Sequence, residues 1–175
     1  MRTSVTIAIL VLSAQVVRAE RSAAFNLGGM IGGAEQRVDE ATKMKPAGGA
    51  RLSLSFEHPP PVKDSAVDVT LVPELVAAAV LNTDRGEAMI GVGARGEIRL
   101  SHLARMAFYV AGRALIVGAN TDPAGELGLG EYIYLWDRLR LGGEATVMLR
   151  RTDMFEDPSR SQHVIMAHVY LGWAM

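Results

Sequence analysis

The last fourteen residues, Gln162 to Met175 (QHVIMAHVYLGWAM), constrain the fold more than any other stretch. Counting back from the end, Met175, Trp173, Leu171, Val169, Ala167 and Ile165 occupy every second position. The residues between them, among them Gly172, Tyr170, His168 and Gln162, are smaller or more polar on average. Successive side chains of a strand point to opposite faces, so this is one β-strand with a greasy face and a mixed face.

The other end of the chain has a different character. Arg2 supplies a positive start, Val5 to Val17 is an apolar run, and Val17-Arg18-Ala19 places small or apolar residues at a cleavage position. Residues 1–19 therefore read as a secretory signal peptide cut before Glu20, leaving residues 20–175 as one mature domain. The apolar run is short of the roughly 20 residues that a helical span requires, and no later stretch is longer. No Cys stands at the cleavage site, so no lipoprotein is expected, and a chain with no cysteine has no disulfide framework and no thiolate chemistry. Eighteen Lys and Arg against nineteen Asp and Glu leave no bulk field to attract nucleic acid. After residue 19 no helical periodicity of useful length survives, which makes the chain all-β.

Seven further strands precede the last one. Ala23 to Gly33 is glycine-rich and low in charge, and Ala34 to Gly49, with its charges, Pro46 and a Gly pair, is expected to be a long loop. Ala50 to His58 alternates cleanly, with Leu52, Leu54 and Phe56 opposite Arg51, Ser53 and Ser55, until Pro59-Pro60-Pro61 ends it. Val67 to Asn82 is long, with Pro73 inside it, where a bulge or an unpaired position is expected. Ala88 to Leu100 and Ala104 to Gly118 follow, the second opposing Phe108, Val110 and Ile116 to Tyr109 and Arg113. Gly125 to Trp136 is ambiguous in phase, and Leu139 to Arg150 sets Leu141, Val147 and Leu149 against Arg140, Glu144 and Arg150.

A closing strand with an alternating apolar face and an aromatic near its end, here Trp173 with Met175 as last residue, resembles the terminal strand of small bacterial outer-membrane barrels of the OmpA/OmpX type. The resemblance implies an eight-stranded antiparallel up-and-down transmembrane β-barrel behind a cleaved signal peptide, in the outer membrane of a Gram-negative bacterium. It implies contact with lipid and lipopolysaccharide and delivery to the barrel assembly machinery through Ile165, Ala167, Val169, Leu171, Trp173 and Met175. A monomer is expected, with both termini on the periplasmic side and the tighter turns there. If Asp137-Arg138 is a two-residue hairpin turn, Trp136 faces the same way as Leu139, so Tyr132, Tyr134 and Trp136 point outward and Glu131 inward. Phe56, Tyr132, Tyr134, Trp136 and Trp173 would then form a periplasmic girdle.

On this reading the inner face carries a charge network of Asp68, Glu74, Arg95, Glu97, Arg99, Arg105, Arg113, Glu131, Arg140, Glu144 and Arg150, with Arg51 beside it. An eight-stranded barrel is only wide enough for its own side chains. Opposite charges at facing heights can pair and fill it, giving a closed, salt-bridged interior and a non-enzymatic structural or surface-interaction protein. A narrow anion-favouring pore is the sharper alternative. Alternation fixes the period and not the phase, so a soluble lipocalin-like carrier, with the apolar rows inward around a ligand, also remains open. A lipid A-modifying enzyme is a further alternative. It rests on Ser161 and His163 sharing one side of the last strand, with no recognisable partner elsewhere. No cofactor is expected, and none of the four histidines has metal-ligand spacing.

Overall fold

The computed structural model describes residues 22–38, 41–57, 67–82, 86–100, 105–119, 121–151 and 161–175. The signal peptide assigned to residues 1–19 and the loop at 152–160 lie outside them. Eight strands follow in order: β1 (Ser22–Val38), β2 (Ala41–Glu57), β3 (Val67–Asn82), β4 (Gly86–Leu100), β5 (Met106–Val117), β6 (Asp122–Tyr134), β7 (Leu139–Arg151) and β8 (Ser161–Ala174). Each pairs antiparallel with its neighbours in sequence, and β1 pairs with β8, so the sheet closes into an up-and-down barrel. Closure leaves no sheet edge along the shared wall, which is what lets every backbone donor and acceptor there find a partner.

The phase of the alternation is now decided. Leu27, Ile31, Leu71, Ile90, Val110, Leu127, Leu129, Val169 and Leu171 all point outward and are exposed, while Arg95, Glu97 and Arg140 are buried inside. This is the inverse of a carrier with an apolar lumen. Among the described side chains, the outward rows of the strands carry only two of Asp, Glu, Lys or Arg: Glu35 at one end of β1 and Glu131 near the opposite end of β6. Between those levels the outer wall is uncharged. Strands of 12 to 17 residues exceed the roughly 9–11 that a tilted membrane strand needs.

Four expectations change. Residues 34–49 are not a long loop. The β1–β2 ladder continues through Gly33–Pro46 and Glu35–Met44 to Val38–Ala41, so this connection is a hairpin rising beyond the level at which β2 joins β3. Backbone pairing overrides the local composition, since charged side chains on an extended hairpin reach solvent without breaking its ladder. At Pro73 there is no bulge: its Cα pairs with that of Ala94 in an uninterrupted β3–β4 register. The β2–β3 ladder ends at Ser55–Glu74, with Pro73 the next residue beyond it, so the missing N–H sits where that pairing stops. The connections also do not alternate cleanly between long and short, for residues 58–66 join β2 to β3 on the side of the chain termini.

The fourth change concerns β6. Tyr134 pairs with Arg140, and the N–H groups of Leu135 and Trp136 both donate to the carbonyl of Leu139, at 2.9 and 3.3 Å. The loop between the paired residues is therefore odd in length, not the two-residue turn expected at Asp137-Arg138. An odd loop reverses the phase of β6. Tyr132 is buried inside the barrel, Tyr134 packs against it, and Glu131 is exposed on the outer face. Only Trp136, at the hairpin tip, keeps its expected outward exposure in this group.

Candidate functional site: the barrel interior

The inward rows stack in layers along the axis. The layer nearest the chain termini is built from β1, β4, β5, β6 and β7. Glu97 is its anion: Arg95 Nε lies 2.7 Å from one carboxylate oxygen, and Arg99 Nη2 donates to the other at 2.9 Å. Tyr132 donates its hydroxyl to that second oxygen at 2.9 Å and accepts from Arg99 at 3.0 Å. Arg140 donates through Nε and Nη2 to the side-chain oxygen of Asn26, at 2.9 and 2.7 Å, and stacks over the Tyr132 ring at 4.6 Å. Arg95 lies over Tyr109 at 5.2 Å. The ring faces thus share the positive charge with the carboxylate.

The middle layer centres on Arg113. Its Nε binds Glu74, and its Nη1 reaches Glu126 at 2.7 Å and Glu144 at 2.5 Å. Arg51 approaches Glu126 from β2 at 2.9 Å. His168 is buried against Thr146, 3.0 Å from its hydroxyl. Two arginines and three carboxylates converge here, and between Arg51, Glu74, Arg113 and Glu144 of this layer and Asn26, Arg95 and Tyr109 of the first lies a cavity of about 20 Å³. That is room for one water, not a channel. A third, smaller group closes the far end, where Arg150 binds Glu87 and also Asp122, the latter at 2.5 Å.

Glycines make these layers fit. Gly130 faces Tyr109 across β5–β6, Gly142 faces Tyr170 across β7–β8, and Gly172 lies beside Asn26 and Arg140. At each of these positions a Cβ would collide with the large side chain opposite. A narrow barrel can hold arginine and tyrosine only where the facing residue has no side chain.

Of the expected network, Glu74, Arg95, Glu97, Arg113, Arg140 and Glu144 are buried in these two layers, Arg99 joins the first, and Arg150 lies at the far end. Asp68 is half-buried, its Cα paired with that of Arg99. Two members fall elsewhere. Arg105 is exposed in the turn before β5, one residue short of the strand that would have carried it inward. Glu131 is outside, for the parity reason given above, and Glu126 from the same strand takes the interior role. Glu126 and the inward placement of Tyr132 and Tyr134 were missed because the assumed two-residue turn overrode the simpler signal. Leu127, Leu129 and Ile133 alternate with Glu126, Gly128 and Tyr132 and are the apolar set.

On β8, Ile165, Ala167, Val169, Leu171, Trp173 and Met175 all point outward and are exposed. At the opposite end of that row His163 meets a partner not expected from sequence. Its Nδ1 lies 2.7 Å from Glu35 Oε2 on β1, and its backbone N–H donates to the same oxygen at 3.2 Å. Gln162 donates to the Glu35 carbonyl at 2.6 Å, so the β1–β8 seam is clasped at the end away from the chain termini.

No family model matches the chain, and no curated protein does. Among solved structures, it is similar to Neisserial surface protein A, with a TM-score of 0.62 at 10% identity over 86% of this chain and 97% of that one. It is also similar to Ail, the attachment invasion locus protein of Yersinia pestis, solved with the heparin analogue sucrose octasulfate. Here the TM-score is 0.52 at 11% identity over 89% of this chain and 99% of that one. At these identities the likeness is one of fold. With eight antiparallel strands closed on themselves and charges inside an apolar wall, the chain has the fold of the small outer-membrane β-barrels.

Proposed function

We propose that this chain is an integral outer-membrane protein, its termini on the periplasmic side, and that its closed barrel is a structural or surface-interaction element rather than a pore. The observation that supports this is the outer wall, uncharged between Glu35 and Glu131 while arginines and glutamates neutralise one another inside. Glu131 fits the reading, because it lies three residues from the Tyr134 end of β6, where the cost of a charge falls to about 0–1 kcal/mol. By the resemblance, the outward row from Ile165 to Met175 serves as the assembly signal.

The mature protein is expected to need detergent for extraction and to run at a heat-dependent position on a gel. A chain that stays monomeric in plain buffer would reverse the reading. Leu129→Arg, at mid-height on the same strand as Glu131, should cost about 2–4 kcal/mol in lipid vesicles, and Ile133→Arg far less. Equal costs at the two positions would remove the membrane from the argument.

The Glu35–His163 pair favours a second reading, a lipid ester hydrolase working at the outer rim. A carboxylate that holds an imidazole through Nδ1 leaves Nε2 as a general base, and by strand alternation Ser161 belongs to the same face. In cells producing the protein, lipid A should then change its acylation, and His163→Ala and Glu35→Ala should each restore the original pattern. Identical lipid A with wild type, with either variant and without the protein would eliminate the enzyme.

A further inference from the structure

Between the middle ionic layer and the Arg150 group lies a zone the charge pattern did not foretell. Met30 and Ala34 of β1, Ala47 of β2, Met89 of β4, Leu115 and Val117 of β5, Ala124 of β6, Met148 of β7, and Val164 and Met166 of β8 form one buried apolar cluster. Ala78 and Val80 of β3 pack against it. Every one of the eight strands contributes, so the cluster is a complete collar across the lumen.

We propose that this collar, and not the ion pairs beneath it, makes the barrel impermeable to ions. The inference rests on the membrane reading above and adds to it the site of the seal. Ionic layers are polar, and a cavity large enough for a water lies between the first and the middle one. Charged side chains can exchange partners with a passing ion, and such a layer hinders permeation without forbidding it. An apolar layer offers an ion neither partner nor hydration, so it stays dry and excludes charge. Four methionines suit the task, because an unbranched, flexible side chain fills the irregular gap between facing walls. The arrangement divides the lumen into two ionic compartments, one nearer the termini and one at the far end, with the apolar collar between them.

The test is ion current across planar lipid bilayers containing the full mature chain. Wild type should be silent, and M30S/M89S/M148S/M166S should give discrete currents, because hydroxyls in a loosened collar admit water. M30L/M89L/M148L/M166L should stay silent. R51Q/E126Q, which removes the charges of the Arg51–Glu126 pair and the carboxylate that Arg113 also reaches, should also stay silent. A heat-shifted band shows which variants are folded, and M89S/M166S carries the same test if the fourfold serine variant is not among them. Silence of folded serine variants, or currents from R51Q/E126Q equal to theirs, would overturn the proposal. Failure of wild type itself to insert would overturn the membrane reading, and the seal with it.

Discussion

Arg113→Ala should leave the barrel unable to hold its folded band in conditions where wild type is stable. Removing this one side chain takes an ion-pair partner from each of Glu74, Glu126 and Glu144, and Arg51, 2.9 Å from Glu126, stays with that one carboxylate. Breaking a buried pair by deleting one partner costs about 3–5 kcal/mol, and three carboxylates share this one. A cost of that size is a large part of the roughly 5–15 kcal/mol that separates a native protein from its unfolded chain. Replacing the whole group should be much milder: Arg113→Met combined with Glu74→Gln and Glu144→Gln removes the charges on both sides and retains the volume. Urea titration in lipid vesicles, followed by the heat-shifted band, measures both. An Arg113→Ala midpoint equal to wild type would mean that the layer is hydrated and its charges individually solvated.

The second large effect is expected at the seam. Gly32 of β1 faces inward beside β8, and a Cβ there would strike the carbonyl oxygen of Ile165 and the Cα of Met166. Gly28, further down β1, stands in the same relation to Val169 and Tyr170. These neighbours are backbone atoms of the closing ladder, so they cannot swing aside as a side chain tip would. Gly32→Val should therefore prevent β1 and β8 from meeting. Overpacking usually costs about 1–3 kcal/mol, and a clash with paired backbone belongs at the upper end or beyond. Gly29→Val supplies the control, since its added Cβ points outward into open space. Refolding yield in detergent should fall sharply for the first variant and little for the second. Matching yields would show that the seam can shift register to absorb the side chain.

The two variants probe different kinds of information. The eight strands were legible because alternation survives in the residue order itself: Leu52, Leu54 and Phe56, or Leu171 and Trp173, announce a period of two without reference to any neighbour. Most of the interior charges were legible too, since each lies in phase with its own strand. Arg105 failed only because the strand starts one residue after it. Glu131 failed because phase in β6 was inferred from an assumed turn, and one residue of loop length exchanges the two faces of a strand.

Residue order by itself determined the period of each strand, their number and the mixture of apolar and charged faces that a membrane barrel needs. Which face turned inward, how far the first hairpin rose, and which residues met across the lumen were decided only by closure of the sheet. Closure fixes the relative heights of strands far apart in sequence. That is how Met30, Met89, Met148 and Met166 came to one level, and how Glu35 came to His163. Alternation is a property of neighbours along the chain. Height and phase are properties of the whole ring, and they exist only once β8 has found β1.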